Sequence, residues 1–161
     1  MPNDPHTYDI KRAFRFMKRG MEERYGNPSC PLLKKKMEPV EAYEIRTESQ
    51  TLEELSLLKD DDHAIQMEGL MIRERILGTD NTILRIPIRY RGAVLADSKK
   101  YELSVGLWTR AMEIAMNCNV PKTKDLENLT DLIAEMVQNG HSLSPQTIEN
   151  IFEKLDRKSV V

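Results

Sequence analysis

Between Ile72 and Ile114 the chain sets two glycines, Gly78 and Gly92, fourteen residues apart, and follows the second with Leu95, Tyr101, Ser104, Trp108 and Ala111. The spacings of three and four from Tyr101 to Ala111 place those residues on one helical face. Glycine inside a helical run is unfavourable by up to about 1 kcal/mol relative to alanine, so Gly92 points to a backbone that a neighbour approaches closely. The pattern predicts an antiparallel helix pair. Gly92 leaves the seam open, and the aromatic and small residues of the second helix fill it. Such a pair is a scaffold for binding with no chemistry of its own.

The rest of the chain extends the helical reading. From Asp9 to Tyr25, Ile10, Phe14, Met17 and Met21 form one stripe that ends at Gly26. The opposite side carries Lys11, Arg12, Arg15, Lys18, Arg19 and Arg24, a solvated face or a contact for an acidic partner or phosphate. GNPSCPLLKKKMEP then opposes regular structure and reads as the most flexible connector. A second helical unit is expected from near Val40. Within it Thr51 and Glu54 have capping-box spacing ahead of a short helix to Leu58. Asp60, Asp61 and Asp62 suit the positive start of a helix that runs to Leu77 and stops at Gly78 in the left-handed conformation. Three adjacent aspartates do not converge on a cation as spaced oxygen ligands do, so capping is the better account.

Pro87 fits the first turn of a helix from Ile86 to Asp97, and Tyr101 to Asn117 is its partner. After Pro121, Leu126, Leu129, Leu132, Ile133, Met136 and Val137 make a stripe that closes at Gly140. A last helix, with Ser144 as cap and Pro145 at its first position, is expected to bury Ile148, Ile151, Phe152 and Leu155. No strand pattern competes. The expected fold is all-α, about seven or eight helices in antiparallel pairs of tetratricopeptide-like, α-solenoid type, with no sheet. The expected organisation is a disordered start at 1–8, a tetratricopeptide-like domain at 9–120, two further helices packed on it at 121–157, and a tail at 158–161.

At 161 residues and 40% hydrophobic content the chain can bury one core. A net charge of -2 with 31% charged residues describes a salt-bridged surface with no general pull toward nucleic acid. No apolar signal core and no membrane-length stretch is present, which predicts neither secretion nor a membrane span. Cys30 and Cys118 stand far apart, as reduced thiols of a cytoplasmic or nuclear chain would. The Asn128-Leu129-Thr130 sequon is then expected to be idle.

Residues for chemistry are missing. His6, His63 and His141 are scattered without ligand or triad spacing, and none of the seven glycines forms a phosphate-cradling pattern. Glu74, between Arg73 and Arg75, reads as an exposed ion-pair partner. No cofactor, metal or catalytic residue is expected. Arg89 and Arg91 precede Gly92 on the helix that in stacked pairs lines the inner surface, where they could hold an acidic peptide. Alternatively they pair with Asp97, Glu102 or Glu113 inside the repeat. Trp108 reads as core. The nine methionines read as gap-fillers or as the lining of an adaptable groove.

The segment MEPVEAYEIRTESQTLEELSLLKDDDHAIQMEGLMIRERILG, continued by IRYRGAVLADSKKYELSVGLWTRAMEI, resembles the Fem (feminisation) family of intracellular sex-determination and ubiquitin-ligase proteins. It joins a capped helix, LMIRERILG and the YRGAV-x-ADS run in order. Kinesin-light-chain-type repeats share IRE-(K/R)-x-LG but lack RYRGAVLADS. The likeness runs from about residue 8 to 118, including RGMEERYGNP, and weakens beyond Val120. The family's Pro-x-His-Pro-Asp turn is here Thr79-Asp80-Asn81-Thr82-Ile83. Neither the ankyrin repeats that capture substrate degrons nor the VHL box that docks elongin and a cullin is recognisable.

The resemblance therefore implies a non-catalytic scaffold from the middle region of a cullin-RING substrate receptor, with substrate proteins and ligase components as partners. Gly92, Leu95, Tyr101, Ser104, Trp108 and Ala111 are its packing residues, and Arg73, Arg75, Arg89 and Arg91 its candidate partner surface. The alternative is a free-standing adaptor that binds peptides or helices without ubiquitin chemistry.

Overall fold

The computed structural model describes residues 9–156, so His6, the expected disordered start and the expected tail lie outside the described residues. Seven α-helices follow in order: α1 (Ile10–Tyr25), α2 (Leu52–Leu57), α3 (Asp62–Leu77), α4 (Arg85–Asp97), α5 (Tyr101–Asn117), α6 (Thr123–Gln138) and α7 (Pro145–Asp156). Two 3-10 turns, Glu41–Tyr43 and Thr82–Leu84, complete the elements. The fold is all-α, with no strand among the described residues. It divides into two compact units. One holds the chain up to Glu38 with Thr47–Ile72, and the other holds Pro39–Arg46 with the chain from Arg73 onward.

In the first unit α1 opens where Asp9 Oδ1 accepts the Arg12 amide at 2.9 Å, and it buries Met21 from its apolar stripe. The following connector, expected to be the most flexible part, is held at several points. Leu32 and Arg24 exchange two hydrogen bonds, and Lys34 Nζ reaches both the Glu48 carboxylate and the Ser49 carbonyl at 2.9 Å. The Lys34 and Glu48 side chains are 5% and 6% exposed, so their pairing offsets part of the cost of burying both charges. Proline and lysine composition had argued against regular structure but is silent on such tertiary anchors.

α2 starts as expected, with Thr51 Oγ1 accepting from the Glu54 amide at 3.1 Å. Glu54 reaches back one residue further than the capping box requires, to the Gln50 amide at 2.6 Å. Asp61 Oδ1 caps α3 through the Ala64 amide at 2.9 Å. α3 buries Ala64, Ile65, Met67, Glu68, Leu70 and Met71. Glu68 accepts the Ser49 amide at 2.8 Å. Burial raises its carboxyl above the usual range, and the Ser49 bonds and the Lys34 charge pull only partly the other way.

The second unit opens at Pro39–Arg46. The helical unit expected from near Val40 opens with only a 3-10 turn, Glu41–Tyr43, and its first α-helix waits until Leu52, because Glu44 (φ 58°) and Ile45 (φ 57°) are both left-handed. Two successive non-glycine residues in that region end any right-handed helix. The Tyr101 to Asn117 partner helix and the α4 helix hold nearly to the residue, and Gly78 stops α3 at φ +77°. Only Ser98–Lys100 separates α4 from α5, so the two run antiparallel. α5 is the hub of this unit, packed against α4, α6, α7 and both 3-10 turns.

Because each outer helix is covered mainly by α5, it buries less than its stripe predicts. α6 buries Leu129, Leu132 and Met136 but exposes Leu126 and Val137, and α7 buries Ile151 but exposes Ile148 and Phe152. Ser144 caps α7 as expected, its Oγ accepting the Thr147 amide at 3.1 Å.

The raised Glu68 pKa gives a pH prediction. A carboxyl that is harder to ionise when folded contributes stability at acid pH, and that contribution disappears as pH rises through the folded pKa. Glu68→Gln keeps an acceptor for Ser49 and removes the buried charge. Its melting temperature is expected to exceed that of the parent at pH 7.5, with the gap closing toward pH 4 in paired thermal scans. A gap that widens on acidification contradicts the assignment.

Candidate functional site

The α4–α5 seam is set by a tryptophan lying against bare backbone. A Cβ built on Gly92 would stand 3.0 Å from Trp108 Nε1 and 3.2 Å from Cδ1, closer than packed carbon atoms normally sit. Ser104 Oγ donates to the Gly92 carbonyl at 2.7 Å, which pins the same spot from the side. Leu95, Tyr101, Ser104 and Ala111 are buried around it, and Trp108 is 9% exposed. Tyr101 also faces α6: its hydroxyl donates to Glu135 at 3.2 Å and accepts from Asn139 Nδ2 at 2.9 Å, with its ring edge-on to His141.

The four arginines do not form one surface. Arg89 and Arg91 stand about 200° apart around α4. Arg89 Nε and Arg85 Nη2 both bond to Asp125 of α6 at 2.5 Å, and that carboxylate is fully buried. Arg89 thus pairs with Asp125 and not with Asp97, Glu102 or Glu113, the partners expected for it within the repeat. The fork reaches across to a neighbouring helix instead, where desolvation strengthens the attraction. Arg91 is 8% exposed, and burial holds its guanidinium below the ordinary value against the pull of the Glu44 charge. Arg75 is half-buried, and Arg73 is exposed.

Glu74, expected at the surface, is 5% exposed and organises a second polar network. Tyr43 Oη donates to it at 2.6 Å, and the Arg110 guanidinium binds both its oxygens. Burial and the adjacent carboxylate raise the Tyr43 pKa, so the phenol keeps its proton. Burial opposes charge on Arg110, but Glu74 and Glu113 outweigh it and hold its pKa above normal. Arg110 bonds Glu113 at 2.9 Å, and Lys154 lies 3.7 Å from both Glu113 and Glu41. Asn150 then donates to Glu41 at 2.6 Å. The chain of contacts links the end of α3, the 41–43 turn, α5 and α7. Glu74 stands at helical spacing from Met67, Leu70 and Met71, the signal that could have placed it inward. Asp125 carries the same signal, four, seven and eleven residues before Leu129, Leu132 and Met136 on the face that α6 buries.

Beside this network an open cleft of about 280 Å³ lies between the 41–45 turn, α5 and α7. Ala42, Val105, Gly106 and Ile151 form its apolar floor, and Ile45, 68% exposed, stands at its rim. Glu41, Glu44, Glu102 and Lys154 edge it. Glu102 is engaged with α7, accepting from Thr147 Oγ1 at 2.9 Å and from the Ser144 amide at 3.3 Å. The cleft presents shape and charge, and the Glu102 carboxylate and Thr147 hydroxyl on its lining are spent on each other in tying α7 to α5.

Comparison with known proteins bears on what such a scaffold is. No family model matches the chain. Protein fem-1 homolog C of Danio rerio is 40% identical over 106 residues, 66% of this chain and 17% of that protein. A fem-1 homolog of Drosophila melanogaster is 32% identical over 142 residues, 86% of this chain and 21% of that protein. Protein fem-1 homolog A of Homo sapiens is 40% identical over 110 residues, 66% of this chain and 16% of that protein. The chain is related to the Fem family over a partial region. It spans between 16% and 21% of the length of these curated relatives. Within the Fem-related fold, no helix of the described residues is long and apolar enough to cross a membrane.

Two stability outcomes follow from the geometry. Gly92→Val drives methyl groups into Trp108 and is expected to cost about 1–3 kcal/mol in denaturant unfolding, with Trp108→Phe recovering part of the loss in the double variant. Asp125→Asn strips the shared carboxylate from Arg85 and Arg89 and is expected to cost about 3 kcal/mol by the same measurement. Equal stability of the Asn variant and the parent contradicts a structural role for that fork.

Proposed function

We propose that this chain is a non-catalytic protein-interaction scaffold, the tetratricopeptide-like region of a Fem-type substrate receptor in a cullin-RING ubiquitin ligase. Its work serves ubiquitin-dependent degradation, and by resemblance sex determination, in the cytoplasm or nucleus. The observation that carries the reading is the relationship to fem-1 homologues at 32–40% identity, joined to an α4–α5 pair built around Gly92 and Trp108. Gly92, Leu95, Tyr101, Ser104, Trp108 and Ala111 serve as its packing set. Of the four candidate arginines, Arg89 holds α6 and Arg91 is buried, whereas Arg73 is exposed and Arg75 half-buried. The cleft bordered by Ala42, Gly106 and Ile151 is the concave feature that supports contact with a protein segment.

The test is capture of ligase components and candidate substrates by the purified chain, read by pull-down and calorimetry. Gly106→Trp fills the cleft floor and is expected to weaken substrate retention by about tenfold or more, with circular dichroism showing the helices intact. Full retention by the folded Gly106→Trp chain removes the cleft from the proposal. Failure to engage any ligase component or substrate removes the receptor role.

A further inference from the structure

On the basic side of α1, Arg24 is taken up by Leu32, but the five cations from Lys11 to Arg19 take no part in the features above. At about 100° per residue, Lys18, Lys11, Arg15, Arg19 and Arg12 fall in that order within an arc of about 120°, and Phe16 borders the arc at about 40° beyond Arg12. All six are exposed, and Phe16 is 61% exposed. The apolar stripe of the helix faces the other way: Met21 is buried, and Ile10, Phe14 and Met17 are half-buried.

Two of the cations are partly neutralised, Lys18 by Glu22 at 3.6 Å and Arg19 by Glu23 at 3.8 Å. Lys11, Arg12 and Arg15 have no side-chain carboxylate partner among the described residues. The Arg12 guanidinium instead sits 5.5 Å from the centroid of the Phe16 ring. The result is a rigid patch about 12 Å long, unmatched in charge and with an uncovered aromatic ring at its border.

We propose that this face of α1 docks an acidic protein segment, whose carboxylates meet Lys11, Arg12 and Arg15 and whose apolar side chain covers Phe16. Charge complementarity sets the sign of the partner, and patch size sets its class. Glu22 and Glu23 end the positive field after about two helical turns, enough for a short peptide or a partner helix. A bilayer surface would need the apolar stripe turned outward, whereas that stripe is packed inward. An extended polyanion would run beyond the patch onto a chain whose net charge is -2.

The experiment uses the full chain and a fluorescein-labelled 15-residue synthetic peptide of Glu, Asp and Leu, with a Gln, Asn and Leu peptide as control, read by fluorescence anisotropy. Saturable binding of the acidic peptide is expected, weakening about tenfold between about 50 and 300 mM NaCl. Arg12→Gln with Arg15→Gln keeps good helix formers and is expected to lose about tenfold in affinity, with helicity checked by circular dichroism. Phe16→Ala is expected to weaken binding several-fold and leave the salt dependence unchanged. The proposal is overturned if the control peptide binds equally, if the double variant binds like the parent, or if no binding appears up to about 1 mM peptide. It is also overturned if single-stranded RNA or phosphatidylserine vesicles bind more tightly than the peptide and lose that binding in the double variant.

Discussion

The second unit depends on one contact, the indole of Trp108 against the backbone at Gly92. Without a side chain at 92, α4 and α5 approach until the ring touches main chain, and Ser104 can reach the Gly92 carbonyl at 2.7 Å. That closeness positions α5 as a hub with four other elements packed around it besides α4. A helix so placed must be apolar nearly all round, and α5 buries Val105, Leu107, Met112, Ile114 and Ala115 in addition to the seam residues. Its neighbours need only one apolar face each. This explains why α6 and α7 leave Leu126, Val137, Ile148 and Phe152 in solvent.

Polar contacts then fix how those helices sit. Asp125 is fully buried and is held by two arginines from α4, so α6 is located by an ionic fork as well as by Leu129, Leu132 and Met136. Glu74, Arg110, Glu113 and Lys154 form a second relay that draws α7 to α5 and to the 41–43 turn. Buried charges of this kind add little net stability compared with apolar packing, but they penalise any arrangement that leaves one of them unpartnered. Their effect is to favour one register of the helices, and with it one shape for the cleft that the turn, α5 and α7 enclose.

The Fem relationship and the geometry meet in that division of labour. A glycine–tryptophan seam with charged cross-ties holds the helices at fixed spacing. Arg85 and Arg89 spend their charge inside the fold, whereas Lys11, Arg12 and Arg15 present theirs to solvent. Basic residues of similar sequence character thus stand in opposite settings, paired with a buried carboxylate in one case and facing solvent in the other.

Much of the fold was legible before any coordinates, for local reasons. The caps at Thr51, Asp61 and Ser144, the left-handed stop at Gly78, and the helix boundaries from near Ile86 to Asn117 depend on residues within a turn of one another. The pairing of α4 with α5 was legible because a glycine facing an aromatic across a short turn has few other uses. Helical stripes over-predicted burial in α6 and α7, since periodicity names the face that can be buried and says nothing of how much neighbour is there to cover it.

The cross-helix partners were decided only by tertiary structure. Arg89 found Asp125 thirty-six residues away, Glu74 turned inward to Tyr43 and Arg110, and Lys34 tied down a segment that its prolines had marked as loose. A charged side chain can meet many partners in an extended chain, and which one it meets depends on where the helices have already packed. By itself the sequence determined the helices, their ends and the one close seam. Tertiary structure decided which charges were buried, because desolvation is a property of the assembled surroundings and of no residue alone.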